Sequence, residues 1–194
     1  APSSLIIREC NALNVSDLLT VLKSCHGLQD LSLQVCRMHG DECITKLSEL
    51  CSLTSLHLLG DVVSPEFVEK LADLHPSHSS LAASLQRLDL HGILMSHGPK
   101  GRSFRGFLHH WPQLKELTLI EVSTGFMDEE DLLGILELLA EWKKTNLKSA
   151  SPPARLHSLT LGPCDGFILI NRSQFTITRV VDALYRSSLP FLQL

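Results

Sequence analysis

One phrase, Leu-x-x-Leu-x-Leu, recurs along this chain: Leu28-Leu31-Leu33, Leu53-Leu56-Leu58, Leu85-Leu88-Leu90, Leu114-Leu117-Leu119, Leu156-Leu159-Leu161 and Leu189-Leu192-Leu194. A further copy without its first leucine stands at Leu5-x-Ile7-x-x-Cys10. A short apolar phrase that keeps returning between longer, more variable segments marks one structural unit stacked many times, because no single unit can bury its apolar side alone. Counted at the second leucine of each phrase, the copies stand at 5, 31, 56, 88, 117, 159 and 192, which are spacings of 26, 25, 32, 29, 42 and 33 residues. Such lengths leave room for a strand of about three residues, two turns and roughly ten helical residues. The expected fold class is therefore α/β: a solenoid, or horseshoe, with a parallel sheet on its concave side and helices on its convex side. Residues 1–194 form one unit of about six to seven repeats in this reading. The first and last copies lie within a strand and show no polar capping repeat, so the chain is expected to be a fragment of a longer protein.

The segments between the phrases carry helix signals of their own. Between Ser16 and Ser24, Leu18, Leu19 and Leu22 fall at helical spacing, with Asn14 or Ser16 available to cap the free amides. Ser64-Pro65-Glu66 combines a capping serine with a proline at the first helical position, where its missing N–H costs nothing, and Phe67, Val68, Leu71 and Leu74 supply the buried stripe. Asp128 to Asp131 and Lys143-Lys144 place acids at the positive and lysines at the negative end of a longer helix. A further helix is expected from about Gln174 to Arg186, with Ile177, Val180, Val181 and Leu184 inward.

Composition narrows the class of partner. A net charge of −4 and a pI near 6.2 argue against nucleic acid, which needs a basic stripe; the stretch from His97 to His110 is too sparsely basic to supply one. No apolar run reaches the roughly 18 residues of a membrane span, and no stretch of these residues reads as a signal peptide. Three of the six cysteines, Cys10, Cys36 and Cys164, follow the second leucine of their repeats by five residues, as packing positions would. Reduced thiols in a cytoplasmic or nuclear protein are the expectation. The sequons Asn14-Val15-Ser16 and Asn171-Arg172-Ser173 pull the other way, although each sits where a helix cap is wanted.

Leu28-Gln-Asp-Leu31-Ser-Leu33-Gln-Val-Cys36, preceded by Cys25-His-Gly and followed by Cys51-Ser-Leu53 after the next helical segment, resembles the helical leucine-rich repeats of ribonuclease-inhibitor-like and cysteine-containing type. The general resemblance covers essentially the whole chain. The cysteine-containing subtype matches only the first third, since Asp61, Ile93 and Val122 occupy the equivalent position later. The resemblance implies a protein-binding scaffold. The subtype, common in F-box and other cullin-linked receptors, implies the substrate-recognition part of a ubiquitin ligase receptor, whose adaptor subunits would be held by regions outside this chain. The alternative, from another class, is a sensor or autoinhibitory repeat domain of a larger regulatory or innate-immune protein.

Nothing in the sequence assembles a catalytic constellation, a metal site or a cofactor site, so an enzyme is not expected. Cys36-x-x-His39 with Cys43 has ligand types but no second pair at zinc spacing. The cysteines are expected at core positions rather than at the exposed, polarised place a thiol nucleophile needs. Gly98-Pro-Lys-Gly101 lacks the strand, the glycine spacing and the hydroxyl of a phosphate loop, and is expected to be a flexible surface loop. His109-His110-Trp111-Pro112 is expected to end a helix with Trp111 partly buried.

Because strand side chains alternate, the residues between and after the last two leucines face the concave side. One row is Ile6, Ser32, His57, Asp89, Thr118, Thr160 and Gln193; the next is Arg8, Gln34, Leu59, His91, Ile120 and Gly162. Of these, Ser32, Gln34, His57, Leu59, Asp89, His91, Thr118, Ile120 and Thr160 are the candidate protein-binding residues. Polar groups around exposed apolar Leu59 and Ile120 suit a protein or peptide partner. Two longer insertions, Thr145 to Arg155 and Gly162 to Ser173, are competing loop sites.

Overall fold

The computed structural model describes residues 3–8, 15–34, 41–63, 65–93, 100–121, 137, 140–141, 156–163 and 191–193. Within them strands and helices alternate: β1 (Ser4–Ile7), α1 (Val15–Leu22), β2 (Asp30–Gln34), α2 (Asp41–Ser48), β3 (Ser55–Val63), α3 (Pro65–Ala72), α4 (Ser80–Ser84), β4 (Arg87–Ile93), α5 (Lys100–His110), β5 (Glu116–Glu121), β6 (Ser158–Pro163) and β7 (Phe191–Gln193). The fold is α/β. All seven of these strands form one parallel sheet, ordered in space as they are in sequence.

The leucine phrase sets the register. Leu5, Leu31, Leu56, Leu88, Leu117, Leu159 and Leu192 stand opposite one another across the sheet, one per strand. Within β2 to β5 both leucines of each strand are buried while their neighbours are not, which is the period-two alternation of a sheet packed on one side. Leu28, Leu53, Leu85, Leu114 and Leu156, which precede the strands, are buried as well. The opposing helices contribute Leu19, Leu22, Leu47, Phe67, Val68, Leu71 and Phe107 to the same core, each buried side chain worth about 1.5–3 kcal/mol of apolar transfer.

Polar groups fasten neighbouring units at their edges. The carbonyl before each strand accepts two consecutive amides of the next: Gln29 O takes Thr54 and Ser55 N–H, Thr54 O takes Gln86 and Arg87, Gln86 O takes Lys115 and Glu116, and Lys115 O takes His157 and Ser158. These bonds recur unit after unit, so every strand starts at the same level. Side chains reinforce the stacking: Ser52 Oγ donates to His26 O at 2.6 Å and Ser84 Oγ to Leu53 O at 2.8 Å.

Several expectations need correction. Lys100 and Gly101 open α5 instead of lying in a loop. Phe107 and Leu108 make that segment's inward stripe. Trp111 is fully buried, edge-on to Phe107 with ring centroids 5.7 Å apart, not partly buried. The long spacing between β3 and β4 holds a second helix, α4, that the periodicity did not reveal; buried Ser79 caps it by accepting the Ala82 N–H at 3.2 Å and also donates to Ser48 O on the neighbouring unit. Leu74 lies beyond the end of α3 and is half-buried. Gly162 and Pro163 belong to β6 and not to an insertion loop. Cys51 is exposed after the end of α2, not in the core; Cys43 is buried and Cys25 half-buried.

At Gly106 α5 packs tightly against the end of α3. A Cβ there would stand 2.7 Å from Ala72 O and 3.0 Å from Ala72 Cβ, so only glycine lets the helices approach this far. The roles expected for Asn14, Ser64, Cys10, Cys36, His39, Cys164, the Thr145 to Arg155 insertion and the helix from Gln174 lie outside the described residues, as does most of the Asp128 helix, of which Glu137, Ala140 and Glu141 are helical.

Candidate functional site

The face of the sheet turned away from the leucines carries the candidate residues in two straight rows. Ser32, His57, Asp89, Thr118 and Thr160 stand in register on β2 to β6, and Gln34, Leu59, His91, Ile120 and Gly162 stand in register beside them. Parallel strands repeat about every 4.8 Å, so five strands present a face roughly 20 Å across. Ser32, His57, Asp89, Thr118 and Thr160 are half-buried and Gln34 is exposed. Leu59 and Ile120 are half-buried as well, less open than expected. Among the described residues Ile6, at the end of the first row, is the large apolar side chain left most open, at 56% exposure.

A third row belongs to this face. Asp30, Ser55, Arg87, Glu116 and Ser158 precede the buried leucine of each strand, and alternation by two puts them on the same side as the residues that follow it. They stand outside the two rows expected from the sequence, although the same alternation was signal enough to find them.

Charge concentrates where the rows meet. His57 Nδ1 lies 2.6 Å from Asp89 Oδ2, while Nε2 lies 2.8 Å from Ser55 Oγ and 3.6 Å from Asp30 Oδ1. Arg87 Nε reaches Glu116 Oε2 at 3.0 Å and stands 3.6 Å from Asp89 Oδ2. Ser4 Oγ donates to Asp30 Oδ2 at 3.2 Å. A polar chain thus crosses five strands, from Ser4 through Asp30, His57, Asp89 and Arg87 to Glu116.

These contacts set the proton affinities. The hydrogen bond to Asp89 raises the His57 pKa above its ordinary 6.5; burial opposes this, and the charges of Asp89 and Asp30 add to the rise. Burial pushes the Asp89 carboxyl up, but the bonds from His57 and Thr118, with the positive charge of His57 and Arg87, outweigh it and hold the pKa below 3.8. His91 behaves oppositely to His57: burial lowers its pKa and favours the neutral ring.

Ser55, His57 and Asp89 follow the order nucleophile, base and orienting acid, so the chemistry of an activated hydroxyl must be weighed. Such a reaction needs amides free to hold a developing oxyanion. Here the Ser55 N–H donates to Gln29 O at 2.9 Å, and the residues after it are paired with β2 and β4 on either side. The amides nearest the hydroxyl are therefore spent on the sheet. Among the described residues no three His, Cys, Asp or Glu side chains converge as metal ligands would.

The structure defines the chain as an α/β protein with a sequential parallel sheet whose face opposite the buried leucines carries an ordered array of mostly polar side chains. No family model matches the sequence, and no curated protein matches it. No helix among the described residues is long and apolar enough to cross a membrane.

Proposed function

We propose that the chain is a leucine-rich repeat solenoid of the ribonuclease-inhibitor-like type whose concave strand face binds a protein or peptide, with no chemistry of its own. The observation that carries this is the register: side chains from five successive strands line up in three rows on one face, with apolar Leu59 and Ile120 set among polar and charged groups. Mixed apolar and polar contacts of this kind suit protein recognition, in which a few anchors are enclosed by polar neighbours. The spent amides around Ser55 support a binding role over a catalytic one. The particular role proposed is substrate recognition for a cullin-RING ubiquitin ligase, in the cytoplasm or nucleus, with adaptor subunits bound elsewhere on the parent protein; it rests on the resemblance of the first third of the chain to cysteine-containing repeats.

The test is affinity purification of the parent protein with mass spectrometry, comparing the wild type with a triple variant, His57→Ala, Leu59→Ala and Asp89→Ala, whose folding is checked by circular dichroism. A control variant, Asp17→Ala with Ala83→Ser, alters exposed positions on the helices. Cullin and adaptor subunits recovered with every bait, and a client lost only from the triple variant, are the expected result. A folded triple variant that keeps every partner would sink the concave site, and absence of ligase subunits would sink the receptor role.

A further inference from the structure

His57 is the one side chain among the described residues of the strand face engaged through both ring nitrogens with groups from its own strand and both neighbouring strands. The carboxylates that flank it are incompletely satisfied. Asp30 Oδ1, 3.6 Å from Nε2, is buried and has no hydrogen-bond partner among the described residues; Asp89 Oδ1 is in the same condition. A buried acceptor left without a donor is costly, and a proton on Nε2 would place a positive charge 3.6 Å from Asp30 Oδ1, beyond hydrogen-bond reach but close enough for charge attraction.

The two protonation states of the ring differ in their bonds. In the neutral ring Nδ1–H donates to Asp89 Oδ2, and Nε2, carrying a lone pair, accepts the Ser55 hydroxyl proton. In the cation both nitrogens donate. Nε2–H then points between Ser55 Oγ and Asp30 Oδ1, and the Ser55 hydroxyl can no longer give its proton to the ring. That proton must turn toward another acceptor or toward solvent.

We propose that Asp30, His57 and Asp89 form a proton-operated clamp across β2, β3 and β4: one proton gained at Nε2 ties the imidazole to carboxylates on both neighbouring strands and converts the Ser55 hydroxyl from a donor to the ring into a donor at the open face. Among the described residues the remaining charged and titratable groups facing this ring are Arg87 and His91 on β4, with Glu116 beyond Arg87 on β5. Arg87 opposes the proton on His57, whereas Asp89 and Asp30 favour it. The state change also alters what the face offers. Three carboxylates stand there against one guanidinium, and the clamp's closed state adds a second positive charge; a cationic segment of a docked protein is held more weakly by the closed state than by the open one. That last consequence rests on the concave-face reading given above, whereas the clamp itself does not.

The test is NMR on the intact chain without any partner: ¹H–¹³C and ¹⁵N signals of the His57 ring followed from about pH 5 to about pH 9, and assigned by their loss in His57→Asn. The expected midpoint lies above the ordinary 6.5. It falls in Asp89→Asn and falls by a smaller amount in Asp30→Asn, while the ¹⁵N shifts above the midpoint place the remaining proton on Nδ1. A midpoint at or below 6.5 in the wild type, a neutral ring protonated on Nε2, or no movement in a folded Asp30→Asn overturns the clamp. The wild-type titration needs no variant to fold. Because no partner is present, its failure leaves the docking proposal standing, and failure of the purification test leaves the titration unaffected.

Discussion

Replacing Gly106 by alanine sets two opposed effects against each other, and the structure decides the sign. Alanine in a helix interior is favoured over glycine by about 0.5–1 kcal/mol, so helix propensity alone predicts a more stable protein. The new Cβ, however, would meet Ala72 O at 2.7 Å and Ala72 C at 3.0 Å. These atoms belong to the backbone of α3 and cannot swing aside as a side-chain end could. Ordinary carbon contacts begin nearer about 3.5 Å, so α5 must retreat from α3 by roughly 0.5 Å or more, and overpacking of this kind costs about 1–3 kcal/mol. The same carbonyl lies 3.3 Å from His110 Nδ1, a contact the retreat would also lengthen. The balance is a net loss of about 0.5–2 kcal/mol, which for a chain of 194 residues lowers Tm by a few degrees. Thermal unfolding followed by circular dichroism reads this directly. The carbonyl origin of the clash has a second consequence: adding Ala72→Gly removes a Cβ but leaves the oxygen in place, so the double variant is no more stable than the single one. An unchanged or higher Tm for Gly106→Ala, or rescue by Ala72→Gly, would refute this account of the α3–α5 contact.

Leu88→Ala removes a fully buried side chain from the middle of the sheet and should cost about 2–5 kcal/mol, seen as a lower urea midpoint with an unchanged slope. Ser79→Ala deletes both the cap of α4 and the bond to Ser48 O; a loss of about 0.5–2 kcal/mol is expected, and a neutral result in urea titration would show that α4 needs no cap. For pH, His57 has a raised folded-state pKa, so its stabilisation is complete below 6.5 and is lost as pH rises through the folded value. Asp89, with a lowered pKa, stabilises above 3.8 and ceases to do so as pH falls through its folded value. His91, held neutral by burial, works against His57 by losing stability as pH falls below 6.5. Comparing urea midpoints of wild type and His57→Asn across this range should therefore show the wild type's advantage shrinking as pH rises above 6.5; an advantage that grows would contradict the pairing with Asp89.

Sequence alone determined the sheet and its buried side. Leu31, Leu56, Leu88 and Leu117 recur within a fixed phrase, and burial of alternate residues follows from strand geometry wherever one face is covered, so the strands, their inward leucines and the outward row from Ser32 to Thr160 were legible in the chain itself. The helix from Pro65 was equally legible from the proline at its first position and the apolar spacing of Phe67, Val68 and Leu71. What lay beyond the sequence was contact between units. His57 and Asp89 are separated by 32 residues and meet because successive strands start level, a result of each pre-strand carbonyl taking two amides of the next unit rather than of the length of the segment between them. The same applies to α4, an excursion inside one long spacing that carries no phrase of its own, and to the burial of Trp111. Gly106 reads from sequence as a weakness in a helix, and only the position of Ala72 on the neighbouring helix makes it a requirement. Local periodicity fixes which way a side chain points; which partner it meets depends on the packing of units distant in the chain, and the pairings that tune His57 and Asp89 are of that second kind.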